Sequence, residues 1–160
     1  MEDETFEKKE ESGASATHPA DAGAIKKGDH CMLKGHPVRV VEVSHSKTGK
    51  HGHAKASIIG IDIFTNKKYE DTFPTSHSIE APNIGRKEYQ LLDILPTGEV
   101  SVLLESGDIK DDLKLSTEEG DKEFVNRLRD SFEHIEKKTI ILNVISALGQ
   151  EKIVDYKEIA

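Results

Sequence analysis

Ser44-His45-Ser46-Lys47-Thr48-Gly49-Lys50-His51-Gly52-His53-Ala54-Lys55 decides how this chain is read. The stretch holds three lysines, three histidines and no acidic residue, in a protein of formal net charge −8. It separates two strand-like segments, Val38 to Val43 and Ala56 to Phe64. Gly49 and Gly52 bracket Lys50, and glycine reaches positive φ without steric cost, so the chain can turn sharply on both sides of that lysine. The pattern predicts a β-hairpin whose tip carries Lys50 into solvent.

Outward from the hairpin, strand signals continue on both sides. Val38-Arg39-Val40-Val41-Glu42-Val43 is β-branched, and the break in alternation at Val40-Val41 marks a bulge. Before it, Gly28 to Leu33 reads as a short strand and Lys34-Gly35-His36-Pro37 as a turn. After it, Ile59, Ile61 and Ile63 fall on one face, and Ile58, Asp62 and Phe64 on the other. Thr65-Asn66 turns the chain into a strand on which Lys67, Tyr69, Asp71 and Phe73 share a face, ended by Pro74. Short strands with polar turns and no helix predict a small barrel over residues 23–82. Residues 1–22, rich in Glu, Ser, Ala and Lys, have little to bury and are read as a disordered acidic tail.

Pro82-Asn83-Ile84-Gly85 reads as a linker to a second domain, residues 83–160. Lys87 to Leu95 and Val100 to Leu104 are strands joined by a turn at Pro96-Thr97-Gly98-Glu99, and Ile109 to Leu115 is a third. Ser116-Thr117-Glu118-Glu119 has capping-box spacing. Phe124, Leu128 and Phe132 recur every fourth residue beside Val125, which predicts one amphipathic helix over Asp121 to His134. Thr139 to Leu148 is the most apolar segment and is expected to be a central strand. Lys152 to Ile159 can be helix or edge strand, and a helix is favoured. The order fits a five-stranded OB-type barrel carrying one α-helix.

Charge changes sign along the chain. Residues 2–11 carry net −4, residues 12–82 net +2 and residues 83–160 net −6. A polyanion partner is therefore expected to meet the middle segment alone. The single cysteine, Cys31, excludes an intramolecular disulfide and fits a reducing compartment. No signal-peptide core or long apolar run is visible, so a cytoplasmic protein without membrane attachment is expected.

Three chemistries compete for the hairpin. A phosphate-binding P-loop fails: Ser44 stands where the first glycine belongs, His51 where Ser or Thr belongs, and a strand follows instead of a helix. A zinc site from His45, His51 and His53 lacks a carboxylate and is flanked by three repelling lysines, so no metal is expected. A cationic probe, with Lys47, Lys50 and Lys55 against phosphates, fits the composition best.

Ser46 to Lys55, Gly60-Ile61-Asp62-Ile63-Phe64, Lys67-Lys68-Tyr69-Glu70-Asp71, Pro82-Asn83-Ile84 and Tyr89-Gln90-Leu91 together resemble eukaryotic translation initiation factor 5A. The likeness runs from about Thr17 to the C-terminus. It implies a mainly β protein, an N-terminal SH3-like barrel followed by a C-terminal OB-fold barrel carrying one α-helix. It also implies that Lys50 becomes hypusine. Deoxyhypusine synthase would transfer an aminobutyl group from spermidine, and deoxyhypusine hydroxylase would add a hydroxyl. Thr48, Gly49, His51, Gly52 and His53, with Lys47 and Lys55, would shape the loop and meet the modifying enzymes or RNA. The implied partners are the ribosome and peptidyl-tRNA, and the implied function is relief of stalling at proline-rich sequences and help in termination. No bound cofactor is implied.

The sequence departs from the family at Ala56-Ser57-Ile58-Ile59, Ser78, Gly85 and Glu2, none of which touches Lys47 to Lys55. A general RNA-binding module needing no modification is the alternative. Against it, residues 83–160 offer only Tyr89, Phe124, Phe132 and Tyr156 for base stacking. No acid–base pair or activated nucleophile marks an enzyme.

Overall fold

The computed structural model describes residues 16–47 and 54–160, and the chain divides into two compact units, Met1–Asn83 and Ile84–Ala160. The first unit holds β1 (Thr17–Asp21), β2 (His30–Leu33), β3 (His36–Lys47), β4 (Ala54–Asp62), β5 (Lys68–Pro74) and β6 (Ser78–Pro82). A four-stranded sheet runs β2-β3-β4-β5, and β1 pairs with β6. One face of the curled sheet buries Ile25, Cys31, Leu33, Val38, Val40, Ala56 and Ile58, with Tyr69, Phe73 and Ile79 packed against them. The expected alternation holds: Ile58, Gly60 and Asp62 are buried, whereas Ile59 and Ile61 are half-buried on the outer face. Burial pushes the Cys31 thiol up to about 11, and the nearby Asp29 charge adds to the shift.

Two expectations for this unit are corrected. The tail was expected to run through residue 22, yet Thr17–Asp21 forms β1, registered from Thr17↔Pro82 to Asp21↔Ser78. Ladder hydrogen bonds, with Ala20 against the core, order a segment too polar to signal a strand. The turn is only Lys34-Gly35, both at positive φ (51° and 84°), as a two-residue hairpin loop requires. His36 and Pro37 therefore belong to β3, paired with Leu33 and Met32.

Gly60 marks a close approach. A Cβ there would lie 2.3 Å from Val38 Cγ2 and 2.6 Å from Val38 Cβ, so the tight crossing of β3 and β4 requires glycine.

The second unit holds β7 (Gly85–Ile94), β8 (Glu99–Leu103), β9 (Ile109–Lys114), α1 (Lys122–Phe132), β10 (Thr139–Ala147) and β11 (Gln150–Ile159). Its antiparallel sheet runs β11-β10-β7-β8-β9. Lys110 on β9 reaches Glu151 on β11 at 3.1 Å, so a side-chain bridge joins the two terminal strands of the ladder. Leu128 on α1 is fully buried among Leu91, Val100, Val102, Ile140 and Leu142, so the helix plugs the barrel as its spacing predicts.

Here too the structure corrects particulars. Ser116 makes no capping box. Its Oγ accepts from the Glu118 N–H at 3.1 Å and donates to Asp121, and a 3-10 turn at Glu119–Asp121 precedes the helix. The C-terminal segment, expected to be helical, is the edge strand β11. Its register shifts between Asn143 and Val144, leaving Val154 as an extra residue. That bulge puts Ile153 and Tyr156, three residues apart, on one face, an interval that imitates a helix.

Candidate functional site

The twelve residues of β3 outrun their neighbour on one side. β2 pairs only with His36 to Arg39, whereas β4 pairs with β3 from Val38↔Asp62 to Lys47↔Ala54. On its other edge β4 is held to its first residue, through Lys55↔Pro74 and the Thr75 N–H donating to the Ala54 carbonyl at 3.0 Å. Ser57 and Thr72 hydroxyls bond at 3.0 Å beside this base. A ribbon thus projects past the core and fixes where residues 48–53 leave β3 and enter β4.

The bulge decides which side chains share a face. Register shifts between Val40 and Glu42, so Val41 is the extra residue. Before it Val38 and Val40 face the core; after it Val43, His45 and Lys47 continue that face. Ser46 and Lys55 are cross-strand partners on the opposite face. Lys47 and Lys55 therefore stand on opposite faces of the ribbon base, both exposed. His45 is also exposed, opposite Ala56 on the Lys47 face. Among the described residues neither lysine has an ion-pair partner. The acids of the adjoining strands, Asp71 and Glu70, pair in register with Ile58 and Ile59, farther down the ribbon. Thr48, Gly49, Lys50, His51, Gly52 and His53 lie outside the described residues. The described residues contain no cluster of three metal-ligating side chains.

The four aromatics of the second unit do not form a stacking platform. Tyr89, Phe124, Phe132 and Tyr156 pack against its core, with Tyr156 also tied to Ser131 at 3.1 Å. Sequence reasoning missed a contact in the first unit. His36 stacks on Tyr69 with ring centroids 4.1 Å apart, and its Nδ1 lies 3.3 Å from the buried Asp62. These residues are 26 and 33 positions apart, so no local periodicity announces them.

A five-stranded barrel with one helix, preceded by a half-barrel that extends a cationic ribbon, defines a two-domain β-rich factor built for contact, with no assembled catalytic group among the described residues. Residues 15–77 match the family "Translation initiation factor 5A-like, N-terminal", and residues 83–157 match "Eukaryotic elongation factor 5A hypusine, DNA-binding OB fold". The chain is 49% identical over 158 residues to a Solanum lycopersicum translation initiation factor 5A-1, covering 99% of this chain and 96% of that protein. It is 48% identical to an Arabidopsis thaliana 5A-3 protein, with 99% and 97% covered. A Naegleria fowleri family structure superposes with TM-score 0.80 at 50% identity, covering 89% of this chain and 99% of that one. The Methanococcus jannaschii protein gives 0.67 at 31%, covering 89% and 96%. The chain belongs to the eukaryotic translation initiation factor 5A family, which consists of translation factors.

Proposed function

We propose that the chain is a non-enzymatic translation elongation factor of the cytoplasm. It binds the ribosome next to peptidyl-tRNA. Through hypusinated Lys50 it promotes peptide-bond formation at stalling sequences such as proline-rich ones, and it assists termination. The observation that carries this reading is the pair of lysines without ion partners among the described residues, Lys47 and Lys55, on opposite faces of the ribbon that leads into residues 48–53. Cations on both faces can meet phosphates on both sides of a narrow space. The N-terminal sheet supplies a rigid mount for the ribbon, which matters because steadying a reactive geometry is worth orders of magnitude in rate.

Deoxyhypusine synthase and deoxyhypusine hydroxylase act on Lys50, with spermidine as the source of the added group. Thr48, Gly49, His51, Gly52 and His53 shape the segment these enzymes recognise. The longer arm adds a second amine and a hydroxyl, so it brings charge and donors farther from the ribbon. No helix of the described residues is long and apolar enough to cross a membrane.

The test is Lys50→Arg in a translation system that contains both modifying enzymes and a polyproline reporter. The variant is expected to keep its stability within about 0.5 kcal/mol and to lose rescue entirely. Rescue at the wild-type level would end this reading. Intact mass of the wild type from the same system checks that the modification is present.

A further inference from the structure

The end of the N-terminal sheet away from the ribbon carries a second feature. Two tight connections meet there, Lys34-Gly35 between β2 and β3 and the turn around Asn66 between β4 and β5. Asp62 joins them. Its Oδ1 accepts from the Phe64 and Thr65 N–H groups at 2.8 and 3.1 Å, and its Oδ2 faces His36 Nδ1 at 3.3 Å. Tyr69 covers one face of the imidazole, 12° from parallel. With that face covered and Nδ1 engaged, 43% of the His36 side chain still meets solvent. Lys34 and Lys67 stand in the two turns beside the ring, both exposed and without an ion pair among the described residues.

We propose that His36, backed by Tyr69, is a stacking platform for one base of single-stranded RNA, with Lys34 and Lys67 meeting the flanking phosphates. A flat ring held in place from beneath and open above is what an unpaired base requires, and cations beside it suit the backbone. A duplex would keep its bases stacked internally and could not use the ring. A phosphopeptide would use the lysines but gain nothing from the imidazole face. The site lies at the opposite end of β4 from the ribbon, roughly 25 Å along the strand, so it acts independently of Lys50. It rests on the reading that the partner is RNA, not on the modification.

The test uses the full chain with unmodified Lys50 and a fluorescein-labelled octa-adenylate RNA, followed by anisotropy at low salt. His36→Ala should weaken binding roughly tenfold. His36→Phe, which keeps a ring on Tyr69 without the Asp62 contact, should bind within about threefold of wild type. Lys34→Glu with Lys67→Glu should weaken binding and flatten the salt dependence by about 0.7 per lysine that meets a phosphate. Rescue by the Lys50→Arg variant in translation is read separately, so this proposal and the proposed function can fail independently. Circular dichroism confirms that each variant is folded. The proposal is overturned if folded His36→Ala binds like wild type, if His36→Phe loses as much as His36→Ala, if a duplex of equal length binds as tightly, or if no octa-adenylate binding is measurable.

Discussion

The two units handle their lysines in opposite ways. In the C-terminal unit Lys110 pairs with Asp112 and Glu151, Lys138 with Glu158, Lys152 with Asp121 and Lys157 with Glu88. In the N-terminal unit no lysine or arginine among the described residues has an ion-pair partner. The difference lies in what the acids are doing. Asp21, Asp29 and Asp62 of the N-terminal unit accept backbone N–H groups at turns and strand ends, and Asp71 accepts from the Thr72 N–H within β5. Carboxylates engaged by the backbone leave the lysines unpaired, and unpaired exposed cations remain available to a polyanion. Net charges of +2 and −6 for residues 12–82 and 83–160 describe this only coarsely. Pairing, not count, separates a binding surface from a stabilising one.

The comparison can be tested first where the packing effects are largest. Leu128→Ala removes the helix's fully buried anchor and should cost about 3 kcal/mol. α1 is the α-helix of this unit, so urea unfolding followed at 222 nm reads it. Gly60→Ala should cost the N-terminal unit about 2 kcal/mol by driving a methyl into Val38. Its readout is Cys31, whose buried thiol with a pKa near 11 should react with a maleimide at pH 7.5 only through opening of this unit. Faster labelling in Gly60→Ala is the expected result; labelling at the wild-type rate would show that β3 and β4 can separate without strain.

A smaller pair of effects addresses the contrast itself. Lys152→Ala breaks the most buried ion pair, 2.8 Å to Asp121, and should cost about 1 kcal/mol. Lys55→Ala should stay within about 0.5 kcal/mol. Equal losses would erase the distinction between paired and unpaired lysines.

The smallest effect is read by pH. The Ser131 hydroxyl and Lys138 hold the Glu158 carboxyl below its usual 4.5. A depressed folded pKa contributes stability that is complete above 4.5 and is lost as pH falls through the folded value. Acid unfolding of the wild type should therefore steepen below pH 4.5 relative to Glu158→Gln. Superimposable acid limbs would show that this contact contributes nothing.

Several features were legible because their cause is local. The Val40-Val41 break is a bulge, the every-fourth-residue spacing from Phe124 is a helix, and Tyr69, Asp71 and Phe73 share the half-buried face of β5. Lys47, Lys50 and Lys55 were legible as a charge pattern, because no acid interrupts it. The errors share a cause as well. β1 looked like tail because its order comes from β6, about sixty residues away. β11 looked helical because a bulge altered its period, and only the open edge of β10 makes it a strand. The His36–Tyr69 stack escaped notice because two turns distant in sequence bring the rings together.

By itself the sequence determined the strand and helix periods, the glycine-flanked lysine and the sign of charge along the chain, since each depends on neighbours a few residues apart. Tertiary structure decided which strands are edges, which faces Lys47 and Lys55 occupy, and which lysines remain unpaired. Those outcomes follow from register and from competition for carboxylates, and both are settled only when distant segments meet.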